Sequence, residues 1–121
     1  MRMVLFLPFL LAAGALGAQV PPAKTVNDLK AFFAQNCVKC HGADGSALGP
    51  EGKKLGGRDF TDARKMAKDQ DADLVKTIRK GIFFGMVMPS FKGQLSEADA
   101  TLLVREVLRK AEKGKAIVPE G

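Results

Sequence analysis

Cys37-Val38-Lys39-Cys40-His41 places two thiols three positions apart with an imidazole directly after the second. That order reads as a site of covalent c-type haem attachment: each sulfur adds to one vinyl group, and the adjacent histidine is held beneath the iron. Three other readings compete. A disulfide between Cys37 and Cys40 is one. A thioredoxin-type redox pair is another, but it needs a βαβ setting, and no segment here alternates as a strand. Zinc needs a fourth donor beyond these three side chains. The chain has two cysteines and one histidine in all, so only a carboxylate or water could complete that shell. For the same reason no second imidazole can face His41 across an iron.

The first residues bear on compartment. Arg2 precedes an almost unbroken apolar run at residues 4–16 and then small residues, the build of a cleaved secretory signal. The run is short for a membrane span; an uncleaved anchor is the alternative. No cysteine follows it to take a lipid. Cleavage after Ala18 gives a signal at 1–18 and one domain at 19–121, so removing 18 of 121 residues leaves 103. The expected location is the periplasm, with no stable membrane span once the signal is gone. Loss of Arg2 takes the formal charge from +6 to +5. An exported basic protein seldom meets nucleic acid, so acidic protein partners are the expectation. A monomer is expected. A domain of this size has a modest core, and a large flat apolar cofactor would enlarge it.

The periodicity is helical throughout. Thr25 with Asp28 forms a capping box, and Val26, Leu29, Phe32 and Phe33 recur at helical spacing over residues 26–38. Residues 42–57 hold six glycines and read as a loop. Thr61 or Asp59 opens a short helix to about residue 67. Asp71 caps a helix over 72–80 that Gly81 ends, with Ile82 supplying an apolar contact beyond the cap. Residues 82–93 return to loop. Ser96 with Asp99 is a second box, after which Ala100, Leu103, Val104, Val107 and Ala111 stripe a helix to about residue 113. The remaining tail reads as mobile. The fold class is all-α, about four helices.

An iron held by one histidine leaves a face open. A methionine thioether there is soft and neutral and raises the reduction potential. Met66 sits in a helix between lysines, whereas Met86 and Met88 lie in the irregular run Gly85-Met86-Val87-Met88-Pro89-Ser90-Phe91. Pro89 biases Met88 towards extended backbone.

Several residues together make the chain similar to the small monohaem class I c-type cytochromes over nearly all of the mature length. They are Phe33, four before the first cysteine; Cys37 to Gly42; Gly49-Pro50; Met88-Pro89-Ser90-Phe91; and Leu95-Ser96-Glu97. The resemblance implies a cytochrome c-like wrap around one covalent haem c. Cys37 and Cys40 would carry the thioethers, with His41 and Met88 as iron ligands. Pro50 would offer its carbonyl to Nδ1 of His41, a contact that fixes ring orientation. The chain departs from the family in having no Trp and no Tyr. That leaves Arg58, Lys53 and Lys54 as candidates for the propionates, and Phe32 or Phe33 to meet Leu103 or Val107 between the first and last helices.

The function expected from this is electron transfer between exported redox proteins, with no substrate transformed. Phe32, Phe33, Phe60, Phe83, Phe84 and Phe91 are expected to wrap the cofactor. Lys39, Lys80 and Lys92 are expected to ring its edge and face acidic docking surfaces. Two alternatives belong to other classes: a haem sensor or small-gas binder whose distal Met is displaced, and an electron-entry subunit of a larger oxidoreductase. Peroxidase-like catalysis needs a distal acid–base group, and the single histidine is already used.

Overall fold

Five α-helices carry the fold: α1 Val26–Asn36, α2 Val38–His41, α3 Ala63–Met66, α4 Asp71–Lys80 and α5 Glu97–Leu103, the last continuing as a π-helical turn Val104–Leu108. They are seen in a computed structural model that describes residues 23–121; the expected signal at 1–18 lies outside the described residues. No strand forms among those residues, only the isolated bridges Leu48↔Lys54 and Ile82↔Met88. The all-α expectation is met.

Helix α1 starts as its sequence predicts. The Asp28 N–H donates to Thr25 Oγ1 at 3.1 Å, and the Thr25 N–H donates to the Asp28 carboxylate at 2.9 Å, so two orphan donors are satisfied reciprocally. The helix stops at Asn36 instead of residue 38. Cys37 departs from helical geometry at φ −114°, the axis turns, and α2 begins. Four expected helices thereby become five.

Two caps differ from expectation. Asp62, not Asp59 or Thr61, caps α3 by accepting the Lys65 N–H at 3.1 Å. Asp59 instead closes a turn onto the N–H and hydroxyl of Thr61. Gln70 occupies the cap position of α4 without a side-chain bond. Asp71 is already helical, and its carboxylate is taken by Arg105 Nε at 2.9 Å and Arg109 Nε at 2.5 Å. Arg109 also donates to the carbonyls of Met66 and Asp69. One guanidinium therefore ties α3, the α3–α4 link and α4 to the end of the last helix.

The core lies where α1, α4 and α5 meet. Leu29, Phe33, Leu95, Leu103 and Val104 are all but inaccessible, and Leu74, Val75, Ile78 and Val107 join them. Phe33 enters this core, as predicted; Phe32 is half-buried and meets Phe91 edge-on at 5.2 Å. The π turn ends the last helix at Leu108 instead of residue 113. Its wider turn shifts the following register, and Leu108 becomes buried although it lies off the predicted stripe.

The tail is docked, which corrects its reading as mobile. The Ile117 N–H donates to the Ala43 carbonyl at 2.8 Å, and the Ile117 side chain is buried. Glu120 pairs with Lys30 at 3.1 Å and exchanges backbone–side-chain bonds with Asn27.

These ties set an acid limit. Hydrogen bonds from Arg105 and Arg109 hold the Asp71 carboxyl below its usual 3.8. Burial pushes Asp99 upward, but the Lys24 N–H and the Ser96 hydroxyl outweigh it and leave the net shift downward from 3.8. A depressed folded value stabilises fully above the unfolded pKa and is lost as pH falls through the folded one. The melting temperature should therefore be flat above about pH 5 and fall steeply below about pH 4. Asp99→Asn should flatten that acid limb; an unchanged limb would remove Asp99 from it.

Candidate functional site

The Cys37-to-His41 segment occupies the α1–α2 junction. The N–H groups of Cys40 and His41 both donate to the Cys37 carbonyl, at 3.3 and 2.9 Å. The five residues thus wind into one turn, and Cys37, Cys40 and His41 all line a cavity of about 360 Å³. Phe60, Ile78, Ile82, Met88, Phe91 and Leu108 make most of the remaining wall apolar. Both cysteines are free thiols. Burial, with Cys40 next to it, pushes the Cys37 thiol up to about 12. Among the described residues no three His, Cys, Asp or Glu side chains come together in a metal-holding group.

His41 is fixed from two directions. Its Nδ1 lies 3.0 Å from the Arg58 carbonyl. A carbonyl only accepts, so Nδ1 carries the hydrogen and Nε2 presents its lone pair. Burial lowers the His41 pKa against the opposing Arg58 carbonyl bond, with the Arg58 charge adding to the fall; the shift favours the neutral ring that a metal ligand must be. Phe60 stacks on it at 4.5 Å and 21°.

The acceptor is Arg58, not Pro50, which corrects the expectation. Pro50 stands exposed in a short turn, Pro50–Gly52, and its carbonyl accepts the Lys53 N–H. The chain then returns through Leu55 N–H to Ala47 and Gly57 N–H to Cys40, both bonds under 3 Å, and this return sets residues 57–58 beside the imidazole. A Cβ on Gly57 would overlap the Cys40 carbonyl oxygen and come 2.7 Å from His41 Nδ1. Neither Gly57 nor the Phe60 stack was anticipated. The Gly56-Gly57 doublet is the one sequence signal for that close approach.

The three methionines among the described residues separate cleanly. Met88 is half-buried and lines the cavity, Met86 is 85% exposed, and Met66 is buried in the core. Met88 is held by the Ile82 N–H, which donates to its carbonyl at 3.0 Å. Gly81 lies so close that a Cβ would strike the Met88 carbonyl. Ile82 therefore lines the cavity and is not simply a contact beyond the α4 cap.

Other expectations need correction. Phe83 and Phe84 project into solvent and do not line the cavity, and Phe32 and Phe33 stand outside its lining. Of the six phenylalanines expected around the cofactor only Phe60 and Phe91 form its wall. Lys53 and Lys54 are exposed and outside it, whereas Arg58 lines it and pairs with Asp69.

Two free thiols, an imidazole with an open Nε2, one thioether and apolar walls make a donor set that fits a covalently held haem. A helical wrap around such a cavity suits a haem-carrying protein. Residues 24–105 match the family model described as cytochrome C oxidase, cbb3-type, subunit III. Cytochrome c6 of Synechocystis sp. is 36% identical over 85 residues, which cover 70% of this chain and 65% of that relative, so the chain spans just under two thirds of its length. The solved KustC0563 c-type cytochrome superposes with a TM-score of 0.54 at 31% identity, covering 69% of this chain and 96% of that one. A mutant of the same protein gives 0.53 at 32%, covering 68% and 95%.

The chain belongs to the c-type cytochrome family, as a small class I member. As a member of that family it carries covalently bound haem c and its iron. No helix among the described residues is long and apolar enough to cross a membrane.

Proposed function

We propose that this chain is an exported, periplasmic one-electron carrier whose haem is held by thioethers to Cys37 and Cys40 and ligated by His41 and Met88. One observation carries the reading: an imidazole whose Nδ1 is held by the Arg58 carbonyl lines the same cavity as Met88, while Met66 and Met86 do not line it. When bound, the haem supplies the reversible ferric–ferrous couple. The protein's part is to hold and shield it. The Arg58 carbonyl and Phe60 keep His41 from rotating. Phe60, Ile78, Phe91 and Leu108 make the surroundings apolar, which disfavours net charge and raises the potential. No side chain at the site offers a second imidazole to move protons, and no substrate is transformed. An absorption spectrum of the oxidised protein tests the reading through the weak near-infrared sulfur-to-iron band. A mass equal to the bare chain would overturn it.

A second reading has its own support: the matching family model is described as an oxidase subunit. An electron-entry module of a larger oxidoreductase would use the same site. Elution of the native protein at the size of a multisubunit assembly would favour it over a free shuttle.

The partners proposed are exported redox proteins with acidic faces. Lys39, Lys80 and Lys92 are all exposed. Long-range steering by such charges speeds encounter and is screened over a Debye length of about 10 Å at 0.1 M salt. The bimolecular rate with an acidic partner should fall about tenfold or more between about 10 mM and 500 mM salt. A flat profile would rule out steering by these lysines.

A further inference from the structure

Phe83 and Phe84 stand in water at the tip of a turn, 72% and 103% exposed, with Met86 at 85% and Val87 at 63%. Phe83, Phe84 and Gly85 are consecutively left-handed, with φ of 57°, 55° and 84°. The Met86 N–H closes the turn onto the Phe83 carbonyl at 3.0 Å. Glycine or asparagine suits such backbone, whereas a bulky aromatic there is strained. Neither ring joins the core or lines the haem cavity. Within this molecule the two rings add strain and expose apolar surface while adding nothing to the core.

The turn's position and charge point outward. Its base, the Ile82↔Met88 bridge, belongs to the cavity lining, as does Val87, so the tip stands at the cavity's rim. The surrounding sequence is purely basic: residues 74–96 contain Lys76, Arg79, Lys80 and Lys92 and no Asp or Glu. A contiguous exposed apolar patch with a charged border marks an interaction site.

We infer that the turn at residues 82–88 is a docking element that inserts Phe83 and Phe84 into an apolar socket bordered by carboxylates on an acidic redox partner. The inference rests on the electron-carrier reading and names the anchor of its docking face. A second copy of this chain is a poor occupant, because it would set the same cations against one another. A lipid surface would satisfy rings and lysines but would turn the cavity's rim away from any protein partner.

The test compares the haem-loaded full chain with its Phe83→Ser/Phe84→Asn variant. The spectrum, the reduction potential and the rate with hexacyanoferrate should be unchanged, and thermal stability equal or higher as strain is relieved. The rate constant with a small blue-copper protein, whose metal lies beneath an apolar patch bordered by carboxylates, should fall about tenfold or more, as for loss of a central aromatic anchor. Equal rates for parent and variant would overturn the inference. So would a variant that loses only its binding to vesicles of phosphatidylcholine and phosphatidylglycerol, which would assign the turn to lipid. Failure of the electron-carrier reading looks different: the parent itself would not exchange electrons with hexacyanoferrate.

Discussion

Met88→Ala will abolish the near-infrared sulfur-to-iron band and lower the reduction potential by on the order of 0.1 V or more, within the span of about 0.8 V that axial ligands command. The thioether is soft and uncharged and favours ferrous iron, so its loss favours the ferric form. Met86→Ala should leave band and potential unchanged, since Met86 projects to solvent. Swapped effects would make Met86 the ligand. Carbon monoxide separates the carrier from a gas sensor on the same proteins. The reduced parent should refuse it at neutral pH, and Met88→Ala should bind it. Ready binding by the parent would favour the sensor.

Gly57→Ala should destabilise the haem-loaded protein by about 2–4 kcal/mol, from overpacking and from loss of one or two hydrogen bonds. The added methyl has no free space between the Cys40 carbonyl and His41 Nδ1. Either the Gly57–Cys40 backbone bond opens or the imidazole turns away from the Arg58 carbonyl. Gly56→Ala is the matched control, because nothing lies within 4 Å of a Cβ placed there. Chemical denaturation followed at the main haem absorption band would compare the two. Equal midpoints would show that residues 57–58 do not press on the ring. A turned imidazole should also shift the reduction potential in Gly57→Ala and leave it unmoved in Gly56→Ala.

Much of this molecule is written locally. The Thr25–Asp28 box, the Ser96 cap, the apolar faces of α1 and α4 and the stop at Gly81 depend on residues within a turn or two of one another. Helical spacing states such relations directly. The Cys37-to-His41 turn is equally local, since its cysteines and histidine fall within five residues. The Met-Pro-x-Phe run was legible through family resemblance, and the structure separates its two methionines by burial.

The misreadings share one cause. Asp71 has the composition of a cap, yet its partners lie 34 and 38 residues away. Pro50 has the family's spacing, yet the chain beyond it folds back and delivers the Arg58 carbonyl to His41. The tail has loop composition, yet Ile117 finds Ala43. Hydrophobicity alone also puts six of the phenylalanines around the cofactor, although Phe83 and Phe84 face water. Pairings across long stretches of chain leave no periodic trace, because the contact depends on where several helices stop and how their axes cross. The amino-acid order alone determined the Cys37-to-His41 turn, the helical class and most helix starts, for these rest on backbone bonds and caps between near neighbours. Packing of α1, α4 and the last helix decided which carbonyl orients His41, which methionine lines the cavity and which aromatic rings are left outside.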